Sequence, residues 1–476
     1  MSTTTTFLLK QAYDVNSFRQ MGHALIDLLA DQLEKSTKGE DEVIPYRTPE
    51  EELAFWQADL QTGGDPVKTF QSILDHSAKV HNPRCMGHQI AAPALISPFG
   101  GLLSDVLANG TGVFEMGMAS NGLERLITDW LCQKIGYESG AGFMTSGGTL
   151  ANLTAMLAAR KAKAPTVVWE EGHSDKLAIM VSEEAHYCID RAARILGMGT
   201  EGIIKVPVDK EFKIRTDMLE PMLQEARAKG LAVIAMVGCA GSTATGSYDD
   251  LEALAEFSHR NDLWFHVDGA HGGAVVCSDT HKPLVKGIEK ADTVVIDFHK
   301  MMMTPALTTA LLFKREEDPF KTFQQRAQYL WDSEQSLEWY HSGKRTFECT
   351  KLMLSIKVYL ILKTYGEQIF GESVDQLHAT AQTFADMLED HPSFELCIRP
   401  EANIVNFRFV KEGVEDLNQL NGQIRQALVE SKQYYIVQTT IHEKKYLRTS
   451  LMNPLTTEQE LIGLLSELER LGHQLS

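Results

Sequence analysis

The chain of 476 residues has no apolar run long enough to span a bilayer, and its first residues, MSTTTTFLLKQAYD, lack the basic flank and apolar core of a secretory signal. No membrane partner is expected, and the cytoplasm is the expected compartment. Paired cysteines are missing too. Cys85, Cys132, Cys188, Cys239, Cys277, Cys349 and Cys397 are scattered with no C-x-x-C, which argues against a disulfide framework and a structural zinc, so no metal is expected. Positive charge is scarce. With 45 Lys and Arg against 64 Asp and Glu, a net charge of −19 repels phosphate backbones, and nucleic acid is not an expected partner. Internal repeats are absent, and low complexity is confined to Thr3–Thr6.

What remains is ordinary globular material, 43% hydrophobic and 23% charged, enough for two or three structural units. Residues 1–85 read as helices with polar connections, among them Val15–Leu33 and a helix opened by Pro49-Glu50-Glu51. They carry too little apolar mass for a separate domain, so they are expected to pack on another surface, such as a second copy of the chain. From Pro83 to Leu131 the chain is rich in Gly, Pro and Ala, a mixture that often lines a cleft.

From Gly142 strands and helices alternate: Gly142–Met144, helix Leu150–Lys163, Leu177–Val181, helix Cys188–Leu196, Ile203–Val206, helix Met218–Ala228, Ala232–Val237, helix Leu251–His259, Trp264–Val267 and Thr293–Ile296. Such alternation predicts an α/β fold with a mostly parallel sheet, which takes ligands at its strand carboxyl ends. Lys321–Tyr340 reads as a polar, aromatic loop and Leu352–Tyr365 as an apolar helix. Residues 364–476 read as α+β, with helix 373–389, strand Asn403–Val410, helix Leu417–Glu430, strand Tyr446–Leu451 and helix Thr457–Leu471. Thr457 and Glu460 are spaced as a capping box. The expected organisation is therefore an N-terminal helical segment (1–85), a large ligand-binding domain (86–363) and a small C-terminal domain (364–476).

Three clusters carry chemistry. Thr145-Ser146-Gly147-Gly148-Thr149 joins a strand to a helix, where two glycines, hydroxyls and helix N-terminal amides suit a phosphate. Without G-K-[ST] it is not a Walker loop. In Trp264–Gly273 an apolar strand ends in Asp268, and a flat ligand could lie against Ala270 while the carboxylate meets a cationic edge. Thr293–Ile296 ends in Asp297-Phe298-His299-Lys300, where Met301, Met302, Met303 and Pro305 would desolvate the Lys300 ammonium and favour an imine-forming amine. Each cluster alone has a plain reading: a capped turn, a turn aspartate, a solvated lysine. In this order they supply what pyridoxal 5′-phosphate needs, namely a phosphate anchor, a partner for the ring nitrogen and a covalent tether.

NPRCMGHQ, TSGGTLANL, EEAHYCIDRAARILG, GSTATGSYDD, HVDGAHGG, DFHKMM and LRTSLMNPLTTEQEL together resemble the group II pyridoxal-phosphate-dependent amino-acid decarboxylases, over Asn82 to Pro454. That family includes the glutamate, aromatic-amino-acid, cysteine sulfinate and 2,4-diaminobutyrate enzymes. The resemblance implies fold type I, the aspartate-aminotransferase-like architecture, with a mostly parallel seven-stranded sheet and a smaller α+β C-terminal domain. It implies a homodimer whose site lies at the subunit boundary, and a carboxy-lyase acting on an L-amino acid. By the same resemblance Ser146, Gly147, Gly148 and His299 bind phosphate, and His186 stacks on the ring. Ser242 or Thr243 approaches the ring hydroxyl or the substrate carboxylate, and Arg448 binds the α-carboxylate. Tyr340, or alternatively Tyr329, reprotonates Cα.

Departures from the family pattern bear on substrate. Met301 follows the lysine where many aromatic decarboxylases have tryptophan, and Gly87-His88-Gln89 replaces the N-Q of glutamate decarboxylases. A short polar or acidic side chain near His88 and Gln89 is expected. The competing readings are another fold type I enzyme, either an aminotransferase or a carbon–carbon lyase, and a catalytically silent cofactor-binding scaffold.

Overall fold

The computed structural model describes residues 7–172, 175–323 and 337–476. They fall into two compact units. One takes residues up to Gly87 with Arg408–Thr449 and Leu455–Ser476, and the other takes His88–Phe407 with Ser450–Pro454.

The second unit is built on seven strands: β1 (Ala141–Thr145), β2 (Leu177–Ser182), β3 (Ile203–Val206), β4 (Ala232–Cys239), β5 (Trp264–Asp268), β6 (Thr293–Asp297) and β7 (Thr309–Phe313). Their order is β1-β7-β6-β5-β4-β2-β3. β7 runs antiparallel to both β1 and β6, and every other pairing is parallel, so six strands point one way. β1, β2, β5, β6 and β7 are buried throughout, which is why they read as unbroken apolar runs rather than alternating ones.

Alternation reappears in which face each residue serves. Val294, Ile296, Phe265, Val267 and Leu312 join one core cluster with Ile127, Leu131, Leu254 and Phe257 from flanking helices. Val295, Trp264, Leu311 and Phe313 join the other, with Ala151, Ala155 and Ala159 of helix Gly148–Lys163 and Ile189, Ala192 and Ala193 of helix Tyr187–Ile195. Alanine on these helix faces lets them pack closely on the sheet.

Several boundaries differ from the sequence reading for identifiable reasons. The helix expected at Leu150 starts at Gly148, because Gly147 takes φ +109° and turns the chain there. The apolar run after Ala306 becomes strand only at Thr309. The helix expected at Leu352 begins at Ser355, since the Met353 N–H is taken by Ser104 Oγ at 3.1 Å. Of the loop expected over Lys321–Tyr340, residues 324–336 lie outside the described residues, and Tyr329 with them.

In the first unit Asp14 caps helix Val15–Thr37, accepting from Asn16 N at 3.1 Å, and Thr48 with Glu51 closes a capping box on Pro49–Thr62. The Thr457–Glu460 box forms as its spacing requires, the Thr457 N–H donating to Glu460 at 2.9 Å. The strand expected near Tyr446 is half of a hairpin, Val437–Ile441 with Lys444–Ser450, and its turn residues His442 and Glu443 take φ of 46° and 64°. No helix among the described residues is long and apolar enough to cross a membrane.

Candidate active site

Because six strands share a direction, their carboxyl ends meet along one edge of the sheet, and that edge opens into a cavity of about 280 Å³. β1 delivers Ser146, Gly147 and Gly148; the turn after β2 delivers His186; β4 delivers Cys239, Ser242 and Thr243; β5 delivers Asp268 and Ala270; and β6 delivers Asp297, His299 and Lys300. Ten sequence-predicted residues thus line one space: Lys300, His186, Asp268, Ser146, Gly147, Gly148, Ser242, Thr243, Ala270 and His299.

At the β1 end, helix Gly148–Lys163 has no side chain bonded to its first amides. Gly147 lies in the left-handed region, and a Cβ at Gly148 would sit 3.2 Å from an Asp297 oxygen. Gly147 needs glycine's backbone freedom and Gly148 leaves little room for a side chain, so amides are left to meet an anion. The Ser146 hydroxyl donates to Glu348 at 2.7 Å, a contact that shows it available to an anionic oxygen.

Asp268 is buried at the end of β5, accepting from Asn152 Nδ2 at 3.0 Å and from the Ala270 N–H at 3.2 Å. Among the described residues no cation pairs with it. His186 caps its helix by accepting the Cys188 N–H at 3.3 Å, and burial holds its pKa below the usual histidine value against the opposing pull of Asp268. Accepting at Nδ1 leaves Nε2 as the donor.

Lys300 Nζ lies 3.1 Å from Asp297 Oδ2, and His299 Nε2 lies 3.6 Å from the same oxygen. Thr309 Oγ1 donates to the other carboxylate oxygen at 2.5 Å. The sequence reading surrounded Lys300 with methionine. Met301, Met302 and Met303 are indeed buried, but the amine itself faces a carboxylate. Asp297 was thus missed, although its signal was a charged residue at a strand end three positions before the lysine. Asn152 was missed as well, and its signal was the helical i, i+4 spacing from Gly148, which puts both on one face.

Four predicted residues are not among the lining residues. Tyr340 packs its ring against Phe114, with centroids 5.6 Å apart. His88 is exposed and Gln89 half-buried, on a segment tied to the site where the Ala91 N–H meets the His299 carbonyl at 3.1 Å. Arg448 belongs to the first unit, buried in its hairpin strand opposite Val437.

These residues fit pyridoxal phosphate. A side-chain-free helix start suits its phosphate, an unpaired buried carboxylate its ring nitrogen, and a lysine between them its aldehyde. The chain is 25% identical to an aromatic-L-amino-acid decarboxylase of Bacillus atrophaeus, with 96% of each chain covered. It is 28% identical to an L-2,4-diaminobutyrate decarboxylase of Acinetobacter baumannii, covering 84% of this chain and 82% of the other. The crystal structure of mouse CSAD superposes with a TM-score of 0.90 at 25% identity, over 96% of this chain and 99% of that one. The pyridoxal-dependent decarboxylase conserved domain matches residues 58–410, and the chain belongs to that family, as a pyridoxal-phosphate-dependent amino-acid decarboxylase of fold type I.

Proposed function

We propose that this decarboxylase removes the α-carboxylate of an L-amino acid with a short polar or acidic side chain, of the glutamate, aspartate, cysteine sulfinate or 2,4-diaminobutyrate type, and that it works as a homodimer. One observation carries the substrate class: among the described residues no phenyl, phenol or indole ring lines a cavity of only about 280 Å³. A cofactor in that space leaves little room for a bulky side chain.

When bound, the cofactor supplies a sink for the electron pair left at Cα as carbon dioxide departs. The proposed roles of the chain are these. Amides at Gly147 and Gly148, with Ser146 and His299, hold the phosphate. Asp268 accepts from the protonated ring nitrogen, His186 covers the ring face with Ala270 on the other, and Ser242 or Thr243 meets the ring hydroxyl or the carboxylate. Lys300 would tether the aldehyde, its amine held beside Asp297. Arg448, whose pKa burial lowers to about 10, stays charged at neutral pH and offers a guanidinium fork to the α-carboxylate. Tyr340 returns the proton to Cα, and His88 and Gln89 contact the side chain.

Dimerisation rests on the N-terminal helices. In Val15–Thr37 only Ser36 is buried, while Val15 and Phe18 are more than half exposed. Sedimentation should give twice the 53.0 kDa chain mass. Carbon dioxide release without keto-acid formation, screened on purified protein across acidic, basic and aromatic L-amino acids, tests the reaction. Turnover of aromatic substrates alone would overturn the substrate class, and keto-acid formation would favour an aminotransferase.

A further inference from the structure

From Asp268 and Asn152 in the cavity wall, a line of buried polar groups on three elements runs back into the core. Trp264, His266 and Asp268 alternate along β5 and so share a face. Thr293 on β6 is the register partner of His266, and Asn152 comes from helix Gly148–Lys163 on that same face. All five residues are buried. The contacts are Trp264 Nε1 to Thr293 Oγ1 at 3.0 Å, Thr293 Oγ1 to His266 Nδ1 at 2.9 Å, His266 Nε2 to Asn152 Oδ1 at 2.8 Å and Asn152 Nδ2 to Asp268 Oδ2 at 3.0 Å.

The proton on each atom follows from donor chemistry. Indole N–H only donates, so Thr293 Oγ1 accepts from Trp264. Asn152 donates its amide N–H to a carboxylate, so its Oδ1 is the acceptor facing His266, and His266 Nε2 must carry a hydrogen. Burial keeps His266 neutral, its pKa pushed down to about 4, so the ring has one hydrogen and Nδ1 is bare. The Thr293 hydroxyl then donates to Nδ1. Every donor points towards Asp268, and no member can reverse without leaving a buried group unpaired.

We propose that Trp264, Thr293, His266 and Asn152 are positioning residues for Asp268, forming a one-way hydrogen-bond chain that fixes which carboxylate oxygen is occupied and keeps the other side aimed at the cofactor ring nitrogen. The inference rests on the reading of Asp268 given above. A neutral histidine is essential to it: an imidazolium would donate at both nitrogens and deprive the Thr293 hydroxyl hydrogen of Nδ1 as its acceptor. The residues contribute no group to the reacting atoms. They act through Asp268, by fixing the oxygen that is left to meet the cofactor.

The test compares affinity of the apoprotein for pyridoxal phosphate with affinity for its 1-carba analogue, which has carbon at the ring nitrogen position. Wild type should favour the natural cofactor. His266→Leu and Thr293→Val should cut that preference by about tenfold or more, and His266→Gln, whose amide both donates and accepts, should restore it to within about threefold. An unchanged ratio in variants that bind both ligands would make the chain mere packing and overturn the proposal. Should His266→Leu fail to fold, the near-isosteric Thr293→Val and the wild-type ring decide. Nitrogen NMR of histidine-labelled holoenzyme should show His266 protonated at Nε2 alone from about pH 6 to about pH 9, and an Nδ1–H ring would refute the chain outright. Borohydride trapping keeps the two readings apart. No adduct at Lys300 sinks the cofactor site, whereas an adduct at Lys300 with an unchanged ratio sinks only the chain behind Asp268.

Discussion

Glu124 and Asp268, two of the carboxylates buried in the second unit, are satisfied in opposite ways. Glu124 accepts from Lys351 Nζ at 2.7 Å and lies 3.6 Å from Arg345, both cations buried, with Lys351 also donating to the Met144 carbonyl at 2.6 Å behind β1. Asp268 meets only neutral donors. A buried charge normally demands compensation from within the fold, and Glu124 obtains it. Asp268 does not, and its place in the cavity wall leaves room for a ligand to bring the counter-charge. For this pair, a resident cation goes with the carboxylate that braces the structure, and its lack goes with the one that lines the cavity.

Replacing either carboxylate system should break different properties. Asp268→Asn should lower kcat by about a thousandfold, the scale for losing a preorganised electrostatic partner, while the melting temperature of the apoprotein stays near wild type. A steady-state assay with a thermal melt checks both halves. Lys351→Met should do the reverse. Stranding Glu124 should cost about 3–5 kcal/mol in urea unfolding, while the protein that remains folded still forms the Lys300 adduct.

Acid should sharpen the contrast, because the neutral chain behind Asp268 contains a histidine and the ionic cluster does not. His266 and the buried His378 both have pKa values lowered to about 4, chiefly by burial. Below about pH 6.5 the unfolded chain takes up protons that the folded one refuses, so stability falls as pH drops from about 6.5 towards about 4. Each histidine should contribute about 2 kcal/mol of that loss by about pH 5. His378 hydrogen-bonds the Val374 carbonyl at 2.8 Å and stacks on His281, outside the cavity, so His378→Gln should remove its share from a pH series of urea melts without altering the cofactor adduct. At the small end, Thr457→Ala in the exposed capping box should cost about 1 kcal/mol, which sets the scale for an ordinary helix cap.

The sheet and the cavity were legible in the sequence for a common reason. Parallel strands buried on both faces produce runs such as Thr293–Ile296, and residues that interrupt those runs at their ends, Asp268 and His299-Lys300, mark the edge where ligands bind. Asn152, Thr293 and Trp264 were not legible as a chain, since each looks like core or helix surface alone and only cross-strand register brings them into line. The period-two spacing of Trp264, His266 and Asp268 was a usable hint that a polar face was hidden. Val437–Ile441 was missed because its middle residues are partly or fully exposed on one hairpin, too short a run to register as apolar.

β1 finds its partner far down the chain, Ala141 opposite Phe313 and Thr145 opposite Thr309. During synthesis the stretch leading into Ser146 must therefore wait, unpaired, until β7 has left the ribosome, so the anion cradle is among the last parts of the sheet to be completed. Capture of the vitamin-derived ligand would then double as an inspection step, since only a chain that has closed its most distant pairing can retain it, and retention in turn protects that closure by mass action.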